Sequence, residues 1–205
     1  KKEWGFACFI ESAERILFDT GASAEVISHN AKKLGIEAKA IDKLVISHDH
    51  WDHTGGLNWV LQNKGLKVYI LESFSSQLKQ ELSGLEVVEV EELGEISRDV
   101  YSTGPIESAD KYRLYEQALL LKTEKGIVII TGCAHPGLER IIERAKKLGK
   151  VRAVIGGFHG FNRLEALRGL EVIVPCHCTQ YKEKIMQTFA DKVKPCKAGL
   201  TLEFR

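Results

Sequence analysis

A chain of 205 residues, 44% hydrophobic and 28% charged, is long enough to bury a sizeable core and too apolar for extended disorder. Its 29 basic and 28 acidic residues leave a net charge of +1, so no global field recruits nucleic acid or an anionic membrane, and selectivity for anions must be local. No run of about 18 apolar residues offers itself as a membrane span.

The opening "KKEWGFACFIES" lacks the basic, apolar and cleavage regions of a signal peptide. Five cysteines without framework spacing fit a reducing compartment, so the expectation is a cytoplasmic protein. The chain starts on Lys rather than Met and almost inside a strand, which leaves room for a missing leading segment. Lys and Glu are plentiful while Asn, Gln and Met are scarce, a bias found in thermophile proteins. Length and the lack of a low-complexity linker favour one domain over residues 1–205.

Short apolar runs alternate with amphipathic stretches. "WGFACFIE" and "RILFDTG" read as a strand pair, "SAEVISHNAKKLGI" as a helix ending at Gly35, and "KLVIS" as the next strand. Helix "GGLNWVLQN", strand "KVYIL", helix "FSSQLKQEL" and strand "LEVVEV" follow. The acidic "EVEELGEISRD" reads as a solvated face, with a mobile flap as the second reading. "EQALLLKT" and "GIVIITG" then form a hairpin around "EKG". Helix "PGLERIIERAKKLG", strand "VRAVIGG", helix "RLEALRGL", strand "EVIVPC", helix "QYKEKIMQTF" and a last strand "AGLTLEF" complete the chain. Mixed strands with helices between them predict a layered α/β domain whose strand ends converge on one edge.

The stretch "VISHDHWDHTGGL" follows the third strand and crowds His48, His50, Asp52 and His53 into six positions. In an extended loop, residues two apart point the same way, so His48 and His50 can share one metal while Asp49 points elsewhere. Asp52 and His53 lie where the chain turns into a helix beginning near Thr54, within reach of a second ion. Imidazoles with a carboxylate suit Zn, Fe or Mn. Burying so many titratable groups together without a metal would be costly.

At these residues the sequence resembles the metallo-β-lactamase fold superfamily, whose signature is the H-x-H-x-D-H loop. The resemblance implies a four-layer αββα sandwich with a mono- or dinuclear metal site at one edge, and metallohydrolase activity. "LFDTG" resembles the superfamily's first motif, in which Asp19 supports the metal loop. His177, in "VIVPCHCTQ", matches the final metal histidine. The chain departs from the commonest pattern in having Glu116 and Gln117 where many members have a histidine, and "GC" where they have a bridging Asp in "GD". His135 and Cys133, in "GCAHPG", are the candidates to fill those places, Cys133 as a thiolate if a cation lowers its pKa.

"GCAHPG", "GGFHG" and "PCHCT" together narrow the resemblance to the 7,8-dihydropterin-6-methyl-4-(β-D-ribofuranosyl)aminobenzene-5′-phosphate synthase branch, also called dihydropteroate-synthase-like. There the His of "GGFH" lies near the metal edge. Here it is His159, a substrate contact, proton donor or extra ligand. His29 reads as a surface residue, and alternation along the strand points Cys176 and Cys178 away from His177 as packing residues.

The expected metal set is therefore His48, His50, Asp52, His53, Cys133, His135 and His177, with Asp52 and His159 as catalytic residues and one or two zinc ions, or Mn or Fe, as cofactor. Such a centre brings bound water to hydroxide near neutral pH, which implies hydrolysis or a related transfer. Helices starting after Thr54, Pro136 and Thr179 would favour a small anionic substrate, phosphorylated or pterin-like. No nucleic-acid or membrane partner is expected. The alternatives are a mononuclear iron redox enzyme acting on a sulfur substrate, and a regulatory module with a structural metal.

Overall fold

A computed structural model describes residues 1–108 and 114–205. The chain divides into two compact units, residues 1–91 and 92–205. No helix among the described residues is long and apolar enough to cross a membrane.

The first unit is built on a five-stranded sheet. Strands β1 (Cys8–Glu11) and β2 (Arg15–Phe18) form the expected antiparallel pair, and helix α1 (Ala24–Lys33) follows. Ser23 caps α1 by accepting from the Val26 N–H, and Gly35 adopts a left-handed φ of 73° where the helix stops. After a 3₁₀ turn, β3 (Lys43–Val45) leads into two single turns of helix, α2 (Trp51–Thr54) and α3 (Leu57–Val60). Strand β4 (Lys67–Ile70), helix α4 (Ser76–Glu81) and strand β5 (Glu86–Glu89) complete the unit. The sheet order is β1-β2-β3-β4-β5, parallel from β2 onward.

Parallel strands are connected through crossovers, so the loops leaving the C-terminal ends of β2 and β3 lie side by side. That placement brings Asp19 beside the histidine loop. Both faces of β3 and β4 are apolar and buried, as Leu44, Val45, Val68 and Ile70 show.

The second unit holds a six-stranded sheet. Its strands are β6 (Gly94–Ser97), β7 (Val100–Ser102), β10 (Leu119–Thr123), β11 (Gly126–Thr131), β12 (Val151–Gly157) and β13 (Val172–Cys176), in the order β13-β12-β11-β10-β7-β6. A small separate pair joins β8 (Ile106–Glu107) to β9 (Tyr115–Glu116). Strands β10 and β11 pair around Glu124 and Lys125 as the expected hairpin, and β11, β12 and β13 run parallel. Helix α5 (Leu138–Ala145) buries Leu138, Ile141, Ile142 and Ala145, the stripe expected of 3.6-residue periodicity. With Ile185 and Phe189, from and just beyond helix α6 (Lys182–Thr188), they join a core with Ile127, Ile129 and Val154 of the sheet. Each such Leu or Ile side chain contributes roughly 1.5–3 kcal/mol by leaving water.

Four expectations are corrected. The acidic segment is partly ordered as β6, with Ile96 and Ser97 buried. "RLEALRGL" forms only a 3₁₀ turn over Leu164–Leu167, because the left-handed Gly169 follows directly. The terminal "AGLTLEF" is not a strand: its alternation finds no partner strand among the described residues. Finally, helices α5 and α6 start after Pro136 and Thr179 as expected, at Leu138 and Lys182, but the first of the three starts at Trp51 rather than after Thr54, and α2 has only four residues. One turn of helix carries little dipole, which weakens the expected attraction for anions there.

Candidate metal centre

In the first unit the backbone leaves β3 at Val45 and presents Ser47, His48 and His50 before turning into α2 with Asp52 and His53 inside it. His53 and Thr54 donate backbone N–H bonds to the His50 carbonyl, closing the turn. Helix thus starts three residues earlier than the sequence suggested. The Gly-Gly pair after the histidines has a steric reason: a Cβ at Gly55 would sit 2.2 Å from the Ala22 carbonyl oxygen, and one at Gly56 2.1 Å from that of Thr20. Thr20 completes the junction by donating from Oγ1 to the His53 carbonyl at 3.0 Å.

Three imidazoles gather here. The His48 ring centroid lies 4.6 Å from that of His50 and 4.2 Å from that of His53. His48 and His53 are fully buried, whereas His50 is exposed. Asp49 turns away as expected, accepting from the Ser75 N–H at 2.8 Å. The Asp52 carboxylate is buried and accepts from the Trp4 indole N–H at 3.0 Å.

Asp19 organises this set. Its carboxylate, fully buried on a residue with a left-handed φ of 58°, accepts from the Ser47 N–H at 2.7 Å and the Ser47 hydroxyl at 2.7 Å. It also accepts from His53 Nδ1 at 2.6 Å. The Ser47 hydroxyl has one proton and gives it to Asp19, so at its 2.8 Å contact with His48 Nδ1 it must accept. With Nδ1 of both rings engaged in this way, Nε2 is the nitrogen that each ring could offer to a metal. Burial pushes the Asp19 carboxyl above its ordinary range, against the pull of the His53 imidazole and the Ser47 donors.

In the second unit the candidates come from three separate loops, at the C-terminal ends of β11, β12 and β13. Cys133 is buried and His135 half-buried on the loop after β11. The His159 ring, on the loop after β12, lies 4.7 Å from that of His135. His177 follows the last residue of β13. The loops are tied together: Phe158 N–H donates to Thr179 Oγ1 at 3.1 Å, and Gln180 N–H to the His159 carbonyl at 3.0 Å. Ala134, His159 and His177 all have left-handed φ, between 41° and 59°. With Asp19 they are four of the five such non-glycine residues in the described chain, strain concentrated on the candidate loops.

The left-handed His177 also breaks the alternation on which the reading of Cys176 and Cys178 rested. The Cys178 thiol turns to within 3.2 Å of the Cys133 sulfur. Cys176 is buried and hydrogen-bonds Cys196, whose thiol that bond lowers to about 7 against the effect of burial, with Lys182 adding to the pull. His29 is exposed on α1.

Sequence reasoning did not assign Ser47, Trp4 or the true role of Glu116. The Glu116 carboxylate, from β9, is buried and accepts hydrogen bonds from the loop that carries Cys133 and His135. Ser47 directly precedes the first histidine, which was the available signal. A cavity of about 300 Å³ opens beside this loop, lined among others by His135, Glu139, His159, Phe161 and Arg163. Arg163 Nη1 stands 3.4 Å from Glu139 Oε1 there.

The donor set fits a divalent transition metal. Imidazoles with a carboxylate in the first unit, and imidazoles with a thiol in the second, are donors that suit zinc, manganese or iron, and the histidine-dominated composition of each differs from closed, sulfur-rich structural sites.

A family model described as the metallo-beta-lactamase superfamily matches residues 7–137. The chain is 32% identical to 7,8-dihydropterin-6-methyl-4-(beta-D-ribofuranosyl)-aminobenzene-5'-phosphate synthase of Methanocaldococcus jannaschii, over 93% of this chain and 85% of that protein. It is similar to the crystal structure of Tm1679, a metal-dependent hydrolase of the beta-lactamase superfamily, with a TM-score of 0.83 and 30% identity, covering 99% of this chain and 93% of that one. Igni18, a metallo hydrolase from Ignicoccus hospitalis, shares the fold with a TM-score of 0.67 at 19% identity, covering 98% of this chain and 97% of that one. With the motif loop, its supporting aspartate and the mixed α/β architecture in agreement, the chain belongs to the metallo-beta-lactamase superfamily and is an enzyme of the metallohydrolase type.

Proposed function

We propose that the protein is a metal-dependent hydrolase, or a related transferase, acting on a small anionic molecule that is phosphorylated or pterin-like. The observation that carries the reading is that Ser47 and Asp19 hold the His48 and His53 rings by Nδ1, since engaging Nδ1 on two neighbouring rings turns Nε2 to the use of metal ligation. His48, His50, Asp52 and His53, with Cys133, His135 and His177, are the proposed ligands of one or two ions, zinc first, with manganese or iron as substitutes. The ions would supply Lewis acidity and an activated water.

The chain's own groups do the rest. Trp4 holds Asp52 by its indole N–H, fixing the carboxylate that serves as ligand and general base. His159, beside His135 in the cavity, is placed to donate a proton to a leaving group. Arg163 lines the same cavity and offers an anion a planar pair of donors in exchange for its long contact with Glu139. Arg163 thus replaces the helix dipoles as the source of anion selectivity. The pterin-like option draws on the similarity to the Methanocaldococcus jannaschii synthase. A cytoplasmic setting with no nucleic-acid or membrane partner remains part of the proposal.

The test is the double variant His48→Ala with His50→Ala, assayed for metal content and for hydrolysis of phosphomonoester and phosphodiester panels. Metal and turnover should disappear together, and full activity in the metal-free variant would end the reading. Arg163→Ala should raise KM for the best panel substrate by about 10–100-fold with kcat little changed, as expected for loss of one charge-assisted contact worth roughly 1.5–3 kcal/mol. Stoichiometric iron with oxygen consumption by anaerobically purified protein would favour redox chemistry at a sulfur substrate instead.

A further inference from the structure

The buried Glu116 carboxylate is committed to hydrogen bonds with the loop after β11. Oε1 accepts from the N–H groups of Cys133 and Ala134, each at 2.9 Å, and from Thr131 Oγ1 at 3.2 Å. Oε2 accepts from the His135 N–H at 2.8 Å. Three consecutive N–H groups therefore converge on one buried anion.

Convergence of this kind is what a backbone anion nest provides, and it needs a left-handed residue in the run. Ala134 supplies it with φ 59°, a conformation unfavourable for a residue with a Cβ. The chain fills the nest with its own side chain, and charge-assisted bonds hold Ala134 in place. Fixing the backbone of residues 133 to 135 fixes the directions in which the Cys133 and His135 side chains leave it.

We propose that Glu116 is a positioning residue for metal binding: by occupying the nest under residues 133–135 it sets Cys133 and His135 in their ligating orientation. The inference rests on the proposed function, in which those two residues are ligands. Glutamine is the informative substitute. Its amide oxygen can keep the three bonds now made to Oε1, but its NH₂ group then meets the His135 N–H donor to donor.

Glu116→Gln and His135→Ala are each loaded with zinc or manganese and titrated with a chelator, with circular dichroism and thermal melting of the metal-free forms alongside. Glu116→Gln should keep its secondary structure and release metal at about 10–100-fold lower chelator, the range for loss of a group that orients a ligand. A carboxylate with a merely structural role would lower the melting temperature and leave metal retention in the folded protein unchanged, and that result overturns the inference. If Glu116→Gln does not fold, Glu116→Asp decides: its carboxylate, set back by one methylene, should weaken retention, and wild-type retention refutes the idea. His135→Ala separates the two levels. Unchanged retention in that variant sinks the ligand assignment itself, whereas weakened retention in it beside normal retention in Glu116→Gln sinks only the role of Glu116.

Discussion

The loop after β3 and the loop after β11 both carry candidate ligands, and each is organised by one buried carboxylate, but the two carboxylates act on different things. Asp19 accepts one backbone N–H, from Ser47, and otherwise bonds to side chains: it reaches the His53 ring directly and the His48 ring through the Ser47 hydroxyl. Glu116 bonds to the backbone N–H groups of Cys133, Ala134 and His135. The first arrangement selects a tautomer, while the second selects a chain path. A dense, contiguous ligand set already has its path fixed by a helical turn and two glycines, so what remains to be specified is the state of the rings. Isolated ligands on a strained loop need the path itself specified.

The sharpest way to break this comparison is Asp19→Asn. One amide oxygen cannot replace two carboxylate oxygens, and an NH₂ facing His53 Nδ1 drives that ring to the opposite tautomer, with its proton on Nε2. Metal retention should fall by at least about 10–100-fold. Chelator titration checks it, and NMR of the ring nitrogens should show the proton moved. Wild-type retention with an inverted tautomer would mean that Nε2 of His53 is not a ligating atom.

Much of this contrast follows from how information is laid out along the chain. His48, His50, Asp52 and His53 were legible because their spacing alone places them together, and Asp19 was legible through its motif. The helix α1, with its Ser23 cap and Gly35 stop, and the strands β11 to β13, with their near-continuous apolar runs, declared themselves locally in the same way. Glu116 was visible only as a departure from a pattern, because its backbone partners lie 17 to 19 positions away and are groups that almost any residue type would offer. Strands β7, β8 and β9, two or three residues long, are too short to show a period. The terminal "AGLTLEF" shows a period yet forms no strand, since alternation describes a face and does not supply a neighbour to pair with.

A matched pair of hydroxyl deletions gives the smallest and most discriminating contrast. Ser47→Ala removes the link between Asp19 and His48, leaving the His48 tautomer unspecified while Asp19 keeps its bonds to the Ser47 N–H and to His53. Thr131→Val removes one of four donors to Glu116 with little change of shape and leaves the three N–H bonds that define the loop. Thr131→Val loses one buried hydrogen bond and Ser47→Ala two, so they should lose about 1 and about 2 kcal/mol of stability by chemical denaturation of the metal-free protein. Metal retention should separate them: several-fold weaker in Ser47→Ala, where a ring has lost its orientation, and unchanged in Thr131→Val, where the path survives. Equal losses of retention would place both hydroxyls in the same role and remove the distinction between a carboxylate that sets side chains and one that sets backbone.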